Sequence, residues 1–270
     1  MRGPSLCLLV ALLIASSDAG AQNAPGRSRT LRAAFLAANP AMTVKDPVTG
    51  GPGGPAVDLA RELARRRGMD VTLIGVQTPQ NVIDAVRNGD ADIGLVAYNP
   101  EREGPILFSQ PFMLVLQTFV VRQDSPLQSV KEIDRPNQKI AARRADSMAL
   151  YLARTLKQAQ LVEISEAAGT EGIQGVLNKE WDAFGTNRQR LTEALRNAAG
   201  LRLLKDDLYG VEQTIIVAKG AEDDLKVVNQ FIDDIRTSGF LRTTIERSGI
   251  IGIAVAPALA GPTKTMEKAR

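Results

Sequence analysis

The chain reads as short apolar runs separated by amphipathic stretches. Residues 56–68 (AVDLARELARRRG) place apolar side chains on one helical face and end at Gly68, which predicts an amphipathic helix. A second, shorter helix is predicted over residues 79–89. Strand-length apolar runs occur at residues 30–37, 70–76 and 91–97. Because strands alternate with helices, we predict βαβ units and a mainly parallel sheet.

The same alternation restarts in the second half of the chain. Its predicted strands are residues 139–143, 161–165 and 182–186, and its predicted helices are residues 147–157, 170–180 and 187–200. Each half is followed by a long extended run, residues 112–123 and residues 210–219, which is longer than a typical strand. Two more helical stretches are predicted before about Ser248.

Two α/β halves joined by two long strands predict two lobes, because the chain must leave the first lobe, build the second and return. The predicted bounds are residues 30–118 and 215–258 for lobe 1, 119–214 for lobe 2, 118–121 and 212–217 for the hinge, and 259–270 for a flexible tail. Strand ends that face each other across such a hinge would form a closable cleft. The alternative is one continuous doubly wound domain.

The first 21 residues are predicted to be a signal peptide. The apolar run at residues 6–15 is too short to span a bilayer, and the small residues at 19–21 offer a cleavage site. We therefore expect cleavage before Gln22 and a short polar leader over residues 22–29. We also expect export, to the periplasm if the source is Gram-negative.

Composition excludes several kinds of chemistry. The chain has no histidine, and its one cysteine, Cys7, is removed with the predicted signal peptide. Serine–histidine and cysteine–histidine catalysis, disulfides and thiolate metal sites are therefore excluded from the mature chain. A net charge of +3, without basic runs interleaved with aromatics, does not indicate nucleic-acid binding. We predict a monomer that binds no metal, no cofactor and no nucleic acid.

Four motifs of the first half occur in a recognisable order. They are VDLA (57–60), VRNGDAD (86–92), NPER (99–102) and FSQP (108–111). With these motifs the chain resembles the family 3 extracellular solute-binding proteins, the polar amino acid receptors of ABC importers, from about Leu31 to about Ser248. The resemblance implies an α/β fold of the two-lobed periplasmic binding protein type (type 2), with two mainly parallel-sheet lobes joined by a two-strand hinge.

Arg102 matches the arginine that holds the α-carboxylate of the ligand in that family. A planar fork of donors suits a carboxylate better than a lysine does, and Arg102 follows directly on a predicted strand. The alternative is a surface ion pair with Glu101 or Glu103, which would contribute little. The motif context favours the ligand contact.

Three positions depart from the family pattern. Ala97 stands where the family usually has a hydroxyl that touches the carboxylate, and Asn187 stands where an acidic residue holds the α-ammonium. The first loop, which includes Asn39, lacks the aromatic residue that stacks on the ligand, so Tyr98 is the nearest candidate. Asn187 is either a ligand contact or an ordinary helix N-cap.

In the second lobe, the resemblance implies that the strand-to-helix turn at Asp146 and Ser147 offers a hydroxyl and backbone N–H groups to the ligand carboxylate. Arg144, together with Arg143 and Arg188, adds positive charge near this turn, although each arginine can instead point to solvent. With the acidic residue lost, this positive charge favours an anionic organic acid over a zwitterionic amino acid.

We therefore predict a periplasmic solute-binding protein, not an enzyme, that captures a small carboxylate-bearing solute and delivers it to a membrane ABC permease. The solute would be an amino acid or an organic acid. One alternative is an exported accessory protein that acts through a protein partner, which the aromatic-poor first loop favours. Another is an enzyme similar to the cyclohexadienyl dehydratases, whose acid or base would have to be Glu101, Asp146, Glu212 or Lys139.

Overall fold

The computed structural model describes residues 30–46, 48–165 and 170–258. The predicted signal peptide (1–21), leader (22–29) and tail (259–270) lie outside the described residues. Of the helices in these ranges, none combines the length and the apolar character that crossing a membrane requires.

The first half follows the apolar pattern and adds a few short strands. Its elements are β1 (Thr30–Leu36), β2 (Val44–Lys45), β3 (Pro52–Gly53), α1 (Pro55–Arg66), β4 (Asp70–Val76), α2 (Pro79–Arg87), β5 (Ile93–Ala97), β6 (Ile106–Phe108) and β7 (Met113–Arg122). Helix α1 starts with Pro55, whose fixed φ suits the first helical position. Gly68, two residues beyond the helix, has a φ of 62°, the left-handed conformation that ends many helices.

The second half repeats this plan. Its elements are β8 (Lys139–Arg143), α3 (Ser147–Thr155), β9 (Gln160–Ile164), α4 (Glu171–Leu177), β10 (Ala183–Asn187), α5 (Arg188–Ala194), β11 (Leu201–Leu203), β12 (Tyr209–Ala218), α6 (Glu222–Thr237), α7 (Phe240–Ser248) and β13 (Ile253–Val255). Side-chain caps set two of the helix starts, because Asp146 and Asn187 each accept a hydrogen bond from a backbone N–H of the first turn.

Eleven of the strands form one hydrogen-bonded sheet. Its order is β4-β1-β5-β12-β7-β10-β8-β9, with β6 on β12 and with β11 and β13 on β7. Strands β4, β1 and β5 are parallel to one another, and so are β10, β8 and β9. The long strands β7 and β12 run antiparallel between these two sets and carry the hydrogen bonding from one set to the other.

The apolar core divides at these long strands. Two clusters of buried side chains draw on residues 31–115 and 215–253, and two others draw on residues 119–204. The sheet is continuous, but the core beneath it is in two parts. This division supports the predicted pair of lobes over one continuous doubly wound domain.

The two long strands change partners along their length. Strand β7 leaves β12 after Gln117 and continues along β10. On β12, Gln213 and Thr214 pair with β5. We call the connecting segment, residues 113–117 paired with residues 209–213, the crossing ribbon.

Strand directions bring the carboxyl ends of the two parallel sets towards each other. Strand β5 ends at Ala97 beside Gln213, and β10 ends at Asn187 beside Gln117. Because β5 and β10 run in opposite directions, both ends point into the crossing ribbon. Tyr209 pairs with Gln117, so the two ends are offset along the ribbon by four residues, roughly 13 Å. We call the space between these strand ends the interlobe crevice.

Candidate functional site

The lobe 1 side of the interlobe crevice is formed by the turns that follow β1 and β5. These strands are parallel neighbours, with Phe35 paired to Leu95, so both turns lie at the same edge of the sheet. Asn39 is half-buried in the first turn, where its Oδ1 accepts a hydrogen bond from the backbone N–H of Ala41 over 3.1 Å. Ala97 is the last residue of β5 and is half-buried.

Arg102 lies in the second of these turns, at the end of a short 3₁₀ helix, Pro100–Arg102. The turn is shaped by Asn99, whose Oδ1 accepts a hydrogen bond from the backbone N–H of Glu101 over 3.0 Å. Arg102 is half-buried, and among the described residues no hydrogen bond or ion pair engages its guanidinium. The surface ion pair with Glu101 or Glu103 is therefore not formed.

Tyr98 is held by neighbours within lobe 1. Its hydroxyl donates a 2.8 Å hydrogen bond to Glu103, and its ring meets Phe108 edge-on, with 5.1 Å between the ring centroids. Burial, followed by the hydrogen bond to Glu103, raises the pKa of Tyr98 to about 12. Its backbone N–H donates to the carbonyl of Glu212 over 2.9 Å. These contacts hold Tyr98 against β6 and β12.

On the lobe 2 side, Asp146 and Ser147 begin α3 directly after the turn that follows β8. Oδ1 of Asp146 accepts a hydrogen bond from the backbone N–H of Ser147 over 2.7 Å, and both residues are half-buried. Arg144 is different, because its side chain is 71% exposed and, within the described ranges, makes only a 3.8 Å ion pair with Glu163. Arg143 is also exposed.

Asn187 caps α5. Its Oδ1 accepts a hydrogen bond from the backbone N–H of Arg190 over 2.9 Å, so the N-cap interpretation describes its present contacts. The next residue, Arg188, forms an ion pair with Asp207. Arg188 therefore does not offer free positive charge to the interlobe crevice, which removes part of the basis for preferring an anionic organic acid.

Tyr209, at the start of β12, was missed by the sequence analysis. Its ring stacks on Tyr151 of α3, with 4.4 Å between the ring centroids and 16° between the ring planes. Burial raises the pKa of Tyr209 to about 12, and a contact with the Ser147 side chain partly opposes this rise. This stack connects the crossing ribbon to the helix that begins at Ser147.

Glu212, one of the candidate acids or bases, lies within the crossing ribbon. It pairs with Leu114 of β7, and its side chain is half-buried. Burial raises the pKa of Glu212, and among the described residues no hydrogen bond or ion pair engages its carboxylate. The sequence does mark Glu212 as unusual, since it is a charged residue within a mostly apolar extended run.

The other candidate acids and bases are dispersed. Lys139 lies at the amino end of β8, which is the edge of the sheet opposite to the turn carrying Asp146. Glu101 is exposed at the lobe 1 turn. The structure therefore does not bring these four groups into one cluster.

Two cavities lie near the predicted site residues. One of about 340 Å³ is lined by the first loop, helix α5 and the turn between α7 and β13. The other, of about 660 Å³, lies against β6 and is lined by Tyr98, Glu103, Phe108 and Glu212, among others. We call the second cavity the β6 groove. Neither cavity is lined by Arg102 or Asn187.

The chain is similar to known proteins. The virulence sensor protein BvgS of Bordetella pertussis is 30% identical over 193 residues, which are 68% of this chain and 15% of the sensor. The glutamine-binding protein of Geobacillus stearothermophilus is 25% identical over 173 residues, 63% of this chain and 64% of that protein. The chain thus spans about 15% of the length of the sensor and nearly two thirds of the binding protein.

Solved structures confirm the two-lobed periplasmic binding protein fold. A protein of Wolinella succinogenes, described as a candidate binding component of an ABC transporter and complexed with lysine, has a TM-score of 0.62 at 25% identity, covering 81% of this chain and 94% of that one. A periplasmic domain of Bordetella pertussis BvgS has a TM-score of 0.63 at 24% identity, covering 81% and 92%. An ancestral cyclohexadienyl dehydratase has a TM-score of 0.54 at 24% identity, covering 81% and 91%.

The family model for bacterial extracellular solute-binding proteins, family 3, matches residues 31–248. This match begins in β1 and ends with α7, so it includes both parallel sets of strands and the crossing ribbon. The motifs that suggested the resemblance lie within it. The chain belongs to the bacterial extracellular solute-binding proteins, family 3.

Proposed function

We propose that this protein captures a small carboxylate-bearing solute in the interlobe crevice, with Arg102 holding the carboxylate. The observation that carries the proposal is the free guanidinium of Arg102, half-buried at the carboxyl end of β5 without a described partner. A half-buried arginine normally finds an anion, because leaving its donors unused is costly. A ligand carboxylate would supply that anion through two parallel hydrogen bonds.

The second lobe would complete the site from the opposite strand ends. Ser147 and Asn187 lie at the carboxyl ends of β8 and β10, and these strands are parallel neighbours. Closure of the lobes would then bring the α3 turn and Asn187 onto a ligand already held by Arg102. A ligand closes the lobes only to the extent that it binds the closed arrangement more tightly than the open one.

An amino acid is the better supported solute. The Wolinella succinogenes protein is complexed with lysine, and the Geobacillus relative is named as a glutamine-binding protein. The ion pair between Arg188 and Asp207 also removes one reason to expect a dianion. Delivery to an ABC permease from the periplasm is the matching physiological role, since the Wolinella protein is described as part of such a transporter.

A second candidate is a sensing or accessory role, in which the closed form acts on a protein partner instead of a permease. The similarity to the virulence sensor BvgS favours this candidate. Both candidates use the same crevice. They differ in what the closed form contacts, so co-purification with a permease or with another periplasmic protein separates them.

Catalysis is the weaker proposal. The ancestral cyclohexadienyl dehydratase shares the fold, which shows that the fold can support an enzyme. In this chain, however, Lys139 lies at the amino end of β8, Asp146 lies beyond its carboxyl end, and Glu101 is exposed. We therefore propose binding without turnover, and a prephenate turnover assay tests this directly.

The test of the crevice proposal is a thermal-shift screen of the exported protein against amino acids, dicarboxylates and aromatic acids, followed by calorimetry. A ligand present at 100 times its dissociation constant should stabilise the protein by about 2.7 kcal/mol. Arg102→Ala should cost about 2–5 kcal/mol of binding free energy, at least about thirtyfold in dissociation constant. Arg102→Lys should restore only part of this loss, because the two-pronged geometry is gone.

The matched control is Arg242→Ala, which removes an exposed arginine from α7. It should bind the ligand as the wild type does. If Arg102→Ala also binds the ligand as the wild type does, the proposed role of Arg102 is wrong.

A further inference from the structure

We infer that the β6 groove is a binding site for the primary ammonium group of a small organic amine, with Glu212 as its counter-charge. This site is additional to the carboxylate contact proposed for Arg102, which does not line the groove. The inference uses the geometry of the groove alone and does not depend on the crevice proposal.

Glu212 supplies the negative charge of the site. It lies in β12 within the crossing ribbon, where its carbonyl accepts a hydrogen bond from the backbone N–H of Tyr98. Its side chain lines the groove beside Tyr98. A half-buried carboxylate without a described partner has lost part of its hydration and gained nothing in return. A cation that enters the groove would supply the missing partner.

The groove offers further hydrogen-bond acceptors besides that carboxylate. The hydroxyl of Tyr98 donates to Glu103, which leaves its oxygen lone pairs free to accept. Glu103 itself also lines the groove. A primary ammonium carries three N–H donors, and Glu212, the Tyr98 hydroxyl and Glu103 provide three acceptors for them.

Other walls of the groove are aromatic or apolar. Tyr98 and Phe108 give an aromatic surface, which attracts organic cations, and Ile106, Leu107 and Leu225 give apolar surface for the carbon chain of an amine. A metal ion is a poorer match, since magnesium and calcium require six or more oxygen ligands in a close shell. The groove therefore suits a molecule with one cationic end and an apolar body.

The lining of the groove carries a net negative charge, and one of its walls is held in place. The ionisable groups that line the groove are two carboxylates, Glu103 and Glu212, and one ammonium, Lys219, which leaves an excess of negative charge. One wall is fixed in place, because Gln110 donates two hydrogen bonds to Asn229. Its backbone N–H donates to Oδ1 over 2.8 Å and its Nε2 donates to the carbonyl over 2.9 Å, which ties the turn after β6 to helix α6. A preformed wall of this kind lowers the entropy cost of binding.

The experiment is an NMR titration of the exported protein with n-butylammonium at neutral pH. The neutral isostere n-butanol is titrated in parallel. We expect saturable chemical-shift changes at Tyr98 and Phe108 with butylammonium and no saturation with butanol. Glu212→Gln keeps the side-chain shape and removes the charge, so it should weaken butylammonium binding at least about tenfold.

The matched control is Glu246→Gln, which makes the same charge change at an exposed position of α7. It should leave butylammonium binding unchanged. The inference is overturned if Glu212→Gln binds butylammonium as the wild type does, if butanol saturates at the same concentration, or if the shifted resonances lie outside the groove. A failure of the crevice proposal is recognised separately, because that test uses Arg102→Ala and a carboxylate.

Discussion

Arg188 and Asp207 form a close ion pair, with Nε of the arginine 2.6 Å from Oδ1 of the aspartate. Only 15% of the arginine side chain and 28% of the aspartate side chain are exposed. The same guanidinium donates to the carbonyl oxygens of Leu204 and Asp206 over 3.2 and 2.8 Å. Arg188 thus fastens the start of α5 to the loop that leads into the crossing ribbon.

Replacing Arg188 with alanine should therefore affect stability more than ligand binding. The change removes the partner of Asp207 and the hydrogen bonds to both carbonyl groups, which should lower the free energy of unfolding by about 2–4 kcal/mol. Urea unfolding measures this loss. Arg190→Ala removes an exposed arginine from the same helix and should stay within about 0.5 kcal/mol of the wild type. Equal losses for the two variants would contradict the structural role of Arg188.

Glu62 should make the stability of the protein depend on acid pH. The side chain is 9% exposed and lies 2.7 Å from Nε of both Arg65 and Arg66. The hydrogen bond from Arg65, helped by Arg66, lowers the pKa of Glu62 from 4.5 to about 2. Because the folded pKa is depressed, this stabilisation is complete above about pH 4.5 and is lost as the pH falls towards 2.

The measurement is the free energy of unfolding between pH 6 and pH 2.5, for the wild type and for Glu62→Gln. The wild type should lose about 1–3 kcal/mol more than the variant over this range. Glu246→Gln should follow the wild type, since Glu246 is exposed. Parallel curves for the wild type and Glu62→Gln would show that the ion pairs contribute nothing.

Gly175 should tolerate no side chain. A Cβ at this position would overlap the ring of Trp181, which is buried and donates from Nε1 to the carbonyl of Gly172 over 2.9 Å. Gly175→Ala should therefore destabilise the protein by about 1–3 kcal/mol. Trp181 is the only tryptophan of the chain, so a shift of its fluorescence emission reports the displacement.

Gly51→Ala is the control for this prediction. A Cβ at Gly51 would meet only Oγ1 of Thr49 at 3.6 Å, an ordinary van der Waals distance. Its unfolding transition and its fluorescence should match those of the wild type. A Gly175→Ala protein with wild-type emission and stability would show that the ring moves aside at no cost.

Asn187→Asp should restore a negative charge at the lobe 2 side of the crevice. The carboxylate keeps the capping acceptor for the backbone N–H of Arg190, so stability should be unchanged or slightly higher. If a zwitterionic amino acid binds with its carboxylate on Arg102, the introduced carboxylate should give its ammonium a charged partner. The affinity for that amino acid should then rise roughly tenfold. Calorimetry with the amino acids found in the thermal-shift screen provides the measurement.

The control for this change is Asn88→Asp, which introduces the same charge at an exposed position after α2. It should leave the affinity unchanged. A dianionic ligand should respond to Asn187→Asp in the opposite direction, by binding more weakly. An amino acid whose affinity is the same for all three proteins would place its ammonium away from Asn187.

Elements with a clear hydrophobic period could be predicted from the sequence. The predicted strands at residues 70–76 and 139–143 have the bounds of β4 and β8. The three-residue strands β6, β11 and β13 were not predicted, because so few residues show no period. They form through pairing with the long strands β7 and β12. The change of partners along β7 was also hidden, since an apolar run does not show which strand lies beside it.

The candidate site could likewise be predicted only in part. The position of Arg102 at a strand end follows from a local motif and agrees with the structure. The partner of Arg188 lies 19 residues away in the chain, so no local pattern indicated that this arginine is already neutralised. The sequence could not show that the Glu212 carboxylate has no described hydrogen-bond or ion-pair partner, because this depends on every neighbour that the fold brings near.

The crossing ribbon limits the ways in which the two lobes can move. Residues 113–117 and 209–213 are joined in a fixed register, in which Leu114 faces Glu212 and Gln117 faces Tyr209. A slip of one residue would turn every side chain of a strand to the other face, so the lobes cannot slide past each other along the ribbon. The two strands of the ribbon can still twist and bend, which rotates one lobe relative to the other. A bound solute can therefore change the relative position of the two lobes only by changing the angle between them.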